Sequence, residues 1–123
     1  MRYLTDRKRA LGLGAGRTGT QTHWQAMITS AALVVLVPLF VFTFGLGLGQ
    51  GYEEVLAYFA RPFPAIVTAL TAVVVILHTK GEVDEAIIDY VHGTRGKLLL
   101  VAVQVLSWAM IVAALFALVK LAL

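Results

Sequence analysis

Three long apolar runs, separated by short polar or glycine-rich segments, dominate the hydropathy pattern of the chain. The runs cover about residues 24–44, 63–80 and 98–119. Each comes close to the roughly 20 apolar residues that a helix needs to cross the hydrocarbon core of a bilayer. The pattern therefore predicts an all-α membrane protein with three transmembrane helices.

Glycines and prolines mark the ends of these runs. The glycine-rich segment 45–51 predicts a turn after the first span, and the two prolines within 61–64 predict the start of the second helix. Residues 53–59 between them predict a short amphipathic segment at the membrane surface. The second apolar run ends at His78–Lys80, where chargeable side chains begin.

The composition supports a membrane protein of one domain. The 123 residues are 59% hydrophobic and 14% charged, with a mean hydropathy of +0.85, whereas about a quarter of the residues of a soluble domain are charged. Three spans of roughly 20 residues take up about half of the chain. No room is left for a soluble catalytic domain, so we expect the chain to be non-catalytic by itself.

The chain contains no cysteine. This excludes disulfides, thiolate nucleophiles, iron-sulfur ligation and covalent attachment of a c-type haem. Any haem in this protein would be held noncovalently.

The distribution of basic residues predicts the orientation in the membrane. Residues 1–22 contain five Lys or Arg, and the stretch from the end of the second span onward contains Lys80, Arg95 and Lys97. The opposite side has only Arg61 and Lys120. Because cytoplasmic segments are enriched in Lys and Arg, eight against two places the N-terminus and the loop 78–92 in the cytoplasm. We therefore predict a cytoplasmic basic tail (1–22), a three-helix anchor (23–123), a periplasmic C-terminus, and a location in a bacterial inner membrane.

The candidate chemistry lies in residues 78–92, which contain four of the seven acids and two of the three histidines. If this stretch is helical, His78 and Asp89 are eleven residues apart, or three turns, so they face the same way about 16 Å apart along the axis. The His78 imidazole, which can ligate a metal, and the Asp89 carboxylate, next to Tyr90, would then both face the same neighbouring element.

At this point the residues resemble a family. His78, ten intervening residues, Asp89-Tyr90 and then 91–93 (Val-His-Gly) are similar to the second-helix signature of the smaller hydrophobic membrane anchor of succinate dehydrogenase (respiratory complex II), of the alphaproteobacterial and mitochondrial type. The resemblance covers most of the chain, because it extends to the three-span layout and to further matching residues near the first span. These are Gly19-Thr20, His23-Trp24, Thr29 and Pro38-Leu39.

The resemblance implies a membrane anchor of succinate:ubiquinone oxidoreductase. In that enzyme succinate is oxidised on a flavin and electrons pass through iron-sulfur clusters to ubiquinone. The implied partners are a second membrane-anchor subunit, an iron-sulfur subunit and a flavoprotein subunit. The implied site residues are His78 as one axial ligand of a b-type haem shared with the partner anchor, Tyr90 at the quinone, and Asp89 at the quinone site or in a proton relay.

Each of these residues also has a structural interpretation. His78 follows fifteen residues without a charge, and an ionisable group near membrane depth is expected to be functional, but it is alternatively an interfacial histidine hydrogen-bonded to a neighbouring helix. Tyr90 is alternatively an interfacial tyrosine, and Asp89 a solvated loop acid. The other acids, Glu82, Asp84 and Glu85, are interpreted mainly as a solvated face.

This chain offers His78 no obvious partner as a second haem ligand, since His23 starts another span and His92 lies fourteen residues further along. The second ligand should come from another subunit. The family usually has an arginine near the haem propionates, about where Met27 falls in this sequence. The methionine at this position is therefore a departure from the family pattern. His23, Met27 and Ser30 share one helical face, which either lines the haem pocket or packs against the partner.

Two other classes of function stay open from the sequence. One is the anchor of a different quinone-linked respiratory enzyme such as a fumarate reductase. The other is a small structural or pore-forming membrane protein without a redox role.

Overall fold

The computed structural model describes residues 5–7 and 17–123, and within them it contains helices and no strand. The helices are α1 (Arg17–Gly47), α2 (Tyr52–Phe59), α3 (Pro62–Tyr90) and α4 (Gly93–Ala122). The predicted all-α fold is confirmed, and α1, α3 and α4 are each long and apolar enough to cross a membrane. Most of the predicted tail, residues 1–16 apart from 5–7, lies outside the described residues.

The helices begin and end where the local sequence favours it. Pro62 occupies the first turn of α3, where its missing N–H costs no hydrogen bond. The α3–α4 connection consists of Val91 and His92, and Gly93 adopts a positive φ of 76°, a conformation that a side chain disfavours. In the first turn of α4, Gly96 approaches the carbonyl oxygen of Val91 so closely that an added Cβ would lie 2.7 Å from it.

The short helix α2 closes the end of the bundle opposite the α3–α4 connection. Phe59 is buried, with its ring 5.8 Å from that of Phe44 on α1, and the Tyr58 hydroxyl donates a hydrogen bond to the Thr43 carbonyl. The predicted short segment at 53–59 is therefore a helix, and it is fixed to the C-terminal end of α1.

Helix α3 lies at the centre of the bundle. It packs against both α1 and α4, whereas α1 and α4 do not pack against each other in the part of the chain that the structure describes. Few side chains are buried, and large apolar residues on all three long helices are exposed. Lipid or other protein must cover this surface, because so wide an apolar area is not stable in water.

Helix α3 continues ten residues beyond Lys80, so residues 78–90 are helical and only 91–92 form the connection. Its 29 residues rise about 42 Å from the first to the last, compared with about 30 Å for a hydrocarbon core. The excess length shows that one end of α3 extends beyond the hydrocarbon core if the helix lies along the membrane normal.

Candidate functional site: a polar cleft beside His78

His78 lies on α3 and faces α1. Its side chain is 25% exposed, and its Nδ1 atom is 2.9 Å from the Thr29 Oγ1 atom. The structural interpretation of His78, a hydrogen bond to a neighbouring helix, is therefore observed. This bond uses one ring nitrogen and leaves the other for a different role.

The second ring nitrogen of His78 has no hydrogen-bond partner among the described residues. Nε2 lies 3.9 Å from the Glu82 Oε1 atom, which is too far for a hydrogen bond. Glu82 follows His78 by one helical turn and its side chain is exposed. Nε2 is consequently available to a group outside this chain.

A cleft of about 710 Å³ opens beside His78 where α1 and α4 diverge on either side of α3. Its volume lies within the range of about 300–1,000 Å³ that is common for ligand sites. We call it the His78 cleft. Its polar lining comes from all three long helices and includes Gln25, Thr29, His78, Lys80, Gln104 and Ser107.

This cleft is bordered by an ion pair that the sequence did not predict. The Lys80 Nζ and Asp84 Oδ2 atoms are 2.5 Å apart, and the two side chains are only 20% and 22% exposed. The prediction of a solvated acidic face holds for Glu82 and Glu85, which are exposed, but is wrong for Asp84. The four-residue spacing was the available signal, because residues at i and i+4 are neighbours on a helix.

Asp89 and Tyr90 occupy the last turn of α3. Both are exposed, Tyr90 to 84%, and neither makes a hydrogen bond or ion pair with a described residue. The helix confirms the condition for the predicted alignment of His78 and Asp89, and it separates the two along the axis by about 16 Å. Asp89 and the adjacent Tyr90 are therefore too far from His78 along α3 to form one site with it.

The predicted face of His23, Met27 and Ser30 is exposed, and none of the three residues lines the His78 cleft. Within α1 the partly buried residues at this level are Ala26 and Thr29, and both line the cleft. The three side chains are therefore uncovered in the single chain and available to lipid or to another subunit.

The bundle has three long apolar helices, a polar cleft on one side and wide uncovered apolar surfaces. These features define a small multi-span membrane protein whose apolar surface is covered by lipid or by other subunits. The sequence model of the succinate dehydrogenase/fumarate reductase transmembrane subunit family matches residues 1–119. A succinate dehydrogenase hydrophobic membrane anchor subunit from Paracoccus denitrificans is 42% identical over 123 residues, which are 100% of this chain and 95% of that protein. No solved structure matches the chain.

The chain belongs to the succinate dehydrogenase/fumarate reductase transmembrane subunit family, as a membrane anchor of succinate dehydrogenase. The resemblance seen in the second span, which is helix α3, is thereby confirmed, and the chain is not an unrelated structural or pore-forming membrane protein. An anchor of this kind works in the membrane together with other subunits of its complex.

Proposed function

We propose that this anchor contributes His78 as one axial ligand of a b-type haem, and Tyr90 with Asp89 to the site where ubiquinone is reduced. It would do so in a complex with a second membrane anchor, an iron-sulfur subunit and a flavoprotein subunit. Its own role is to dock and to position, since the redox chemistry belongs to the cofactors.

The possible metal ligands around His78 fit a haem better than they fit a bare metal ion. No group of three or more His, Cys, Asp or Glu side chains in the described residues could hold an ion. A porphyrin brings four nitrogens of its own, so the protein must add only axial ligands, and a neutral imidazole is a normal one. When bound, the haem supplies one-electron redox chemistry, and this chain supplies the imidazole that orients and holds it.

The single observation that carries the haem proposal is the state of the two ring nitrogens of His78. Nδ1 is hydrogen-bonded to Thr29, and Nε2 is unpaired on a half-buried side chain next to a large cleft. A structural histidine near membrane depth would be expected to pair both nitrogens, because an unpaired polar atom is costly there. The second haem ligand is expected from the partner anchor.

Helix length supports a quinone role at the far end of α3. From Pro62 to Tyr90 the helix rises about 42 Å, while the hydrocarbon core is about 30 Å thick. Tyr90 therefore lies about 10 Å beyond the core if α3 enters it at Pro62, at a level where a head domain can contact it. Its exposed hydroxyl can donate a hydrogen bond to a quinone carbonyl, which strengthens as electrons arrive and the oxygen becomes more negative.

Asp89 has two possible contributions at the same place. Its carboxylate is exposed, so it can form an ion pair with an arginine of another subunit that orients the quinone. It can also pass protons from the cytoplasm to the reduced quinone. Both roles need the cytoplasmic side, which the excess of basic residues predicts for this end of α3.

The orientation and membrane belong to the same proposal. We place the N-terminus and the α3–α4 connection in the cytoplasm, the C-terminus in the periplasm, and the protein in a bacterial inner membrane. The family description covers both succinate dehydrogenases and fumarate reductases, and the 42% identical relative is named a succinate dehydrogenase. That name favours succinate oxidation over the reverse reaction.

The experiment that tests the haem assignment is the optical spectrum of the purified complex with and without the His78 imidazole. Loss or alteration of a b-type haem signal in His78→Ala supports the assignment.

A further inference from the structure

The Thr29 hydroxyl has more neighbours than it has protons. Its Oγ1 atom lies 2.9 Å from the Gln25 carbonyl oxygen and 3.1 Å from the Ala26 carbonyl oxygen, both one turn earlier on α1. It also lies 2.9 Å from the His78 Nδ1 atom on α3. A threonine hydroxyl has one hydrogen to donate and two lone pairs with which to accept.

Carbonyl oxygens can only accept hydrogen bonds, so a Thr29 proton directed at His78 would leave Oγ1 against two oxygens with no proton between them. The arrangement in which every contact is a hydrogen bond places the Thr29 proton toward a carbonyl. The same oxygen can then accept a hydrogen bond, and the group in position to donate is an N–H at Nδ1 of His78. In the neutral imidazole a proton on Nδ1 leaves Nε2 with a lone pair. The carboxylate of Glu82 does not oppose this arrangement, because at 3.9 Å from Nε2 it does not hold a proton there by a hydrogen bond.

We propose that Thr29 is a positioning residue for the haem ligand: its hydroxyl accepts the Nδ1–H of His78 and so fixes the tautomer and the ring orientation that present the Nε2 lone pair. This inference rests on the proposed haem function. It adds a role for Thr29, a residue on a different helix from the ligand.

Such a bond to the second nitrogen of a ligating histidine has two consequences. It fixes the plane of the ring, and it makes the imidazole more electron-donating toward the metal. A more electron-donating ligand favours the ferric state over the ferrous state, because the ferric iron carries the higher charge. Loss of the Thr29 acceptor should therefore raise the midpoint potential of the haem and loosen the ring orientation.

The test compares Thr29→Val with Thr29→Ser in the purified, complete complex. Valine preserves the branched shape and deletes the hydroxyl, whereas serine preserves the hydroxyl. Thr79→Val is the matched control, because Thr79 is next to His78 in the chain but exposed and without a hydrogen bond to the ring. The readouts are haem content per complex, the haem midpoint potential, and the electron paramagnetic resonance g values of the ferric haem, which depend on ligand ring orientation.

For Thr29→Val we expect altered g values and an increase in the midpoint potential of up to about 59 mV, which is a tenfold change in the ferric-to-ferrous affinity ratio for one electron. Haem content should also fall on dilution, since such outer contacts are typically worth about 10- to 100-fold in affinity. Thr29→Ser and Thr79→Val should match the wild type in all three readouts.

Two results would overturn the inference. If Thr29→Val matches the wild type while His78→Ala loses its haem signal, His78 is a ligand but Thr29 does not position it. If His78→Ala retains an unchanged haem signal, the haem proposal fails and the role of Thr29 fails with it. Succinate oxidation with an artificial acceptor, measured on every variant, identifies complexes that have not assembled, and Thr29→Ser then decides between a hydroxyl effect and a packing effect.

Discussion

Tyr90 is the most exposed aromatic side chain among the described residues. Its ring is 84% exposed at the end of α3 and its hydroxyl has no partner among the described residues. An aromatic side chain this exposed on one component of a larger complex is available to a substrate or to a neighbouring subunit. The function of Tyr90 is therefore tested by removing its hydroxyl in the assembled enzyme.

Replacing Tyr90 with phenylalanine deletes the hydroxyl and keeps the ring. Losing one hydrogen-bond donor to a developing oxyanion typically costs about 10² to 10³ in rate. We expect succinate-to-quinone turnover to fall at least about tenfold, the low end because partner subunits should supply other donors. Succinate oxidation with an artificial acceptor at the flavin head should stay near the wild-type rate.

Tyr52→Phe is the matched control, since Tyr52 is an exposed tyrosine on α2 at the other end of the bundle. It should leave both rates unchanged. Equal losses in both assays for Tyr90→Phe would indicate failed assembly, and no loss in either would return Tyr90 to the role of an interfacial aromatic residue.

The sequence was informative about single residues where spacing alone carries the information. His78 and Asp89 do lie on one continuous helix, and His78 does face a neighbouring helix. The pairing with Thr29 was not predictable, because it depends on how α1 and α3 rotate and slide against each other. Asp84 was misassigned because charge alone suggests solvent, whereas its partner Lys80 lies on the half-buried side of α3.

At the scale of elements, α3 organises the molecule, since both other long helices pack on it. The Lys80–Asp84 pair lies on this helix at the edge of the His78 cleft. The second oxygen of Asp84, Oδ1, is buried without a hydrogen-bond partner. Within the described residues, Lys80 and Asp84 are therefore a largely buried pair of charges, and each side chain compensates the charge of the other.

Removing one member of the pair should destabilise the complex more than removing both. Breaking a fully buried pair costs about 3–5 kcal/mol, and the cost should be lower here because both side chains are about one-fifth exposed. We expect Asp84→Leu and Lys80→Met each to lower the midpoint temperature of thermal inactivation. The double variant should recover most of the loss, because no unpaired charge remains.

Glu85→Gln serves as the control, because Glu85 is an exposed acid one position further along the same helix. Its midpoint temperature should equal that of the wild type. Losses in the double variant that equal the sum of the single losses would show that the two side chains do not stabilise the complex through their pairing.

The element boundaries show what hydropathy can and cannot predict. Hydropathy placed all three long helices, because the cost of unpaired backbone groups in lipid forces apolar spans to be helical. It did not predict that α3 continues to Tyr90, because amphipathic residues such as 82–90 form a helix only if neighbouring contacts stabilise it. The two-residue connection before Gly93 is also a local backbone feature rather than a hydropathy feature.

At the scale of the whole molecule, most of the apolar surface is uncovered in the single chain. This is expected of a membrane anchor, whose helices face lipid and other subunits of the complex at the same time. The orientation of the bundle then decides which end meets the soluble subunits proposed for the complex. The proposed quinone role of Tyr90 depends on that orientation.

Reporter fusions test the orientation directly. Because eight basic residues lie on one side and two on the other, we expect a reporter after Leu123 to be periplasmic and one near Gly93 to be cytoplasmic. The opposite pattern would place Asp89 and Tyr90 away from a cytoplasmic head, and the quinone proposal would be wrong.

The measurement that tests the central claim most directly is the reduced-minus-oxidised absorption spectrum of the purified complex, recorded for the wild type and for His78→Ala. The wild type should show a b-type haem, and the variant should lose or shift that signal because the Nε2 ligand is gone. Quinone reduction can survive in the variant, because the haem need not lie on the obligatory electron route. A haem spectrum and potential identical to those of the wild type would contradict the assignment of His78 as the ligand.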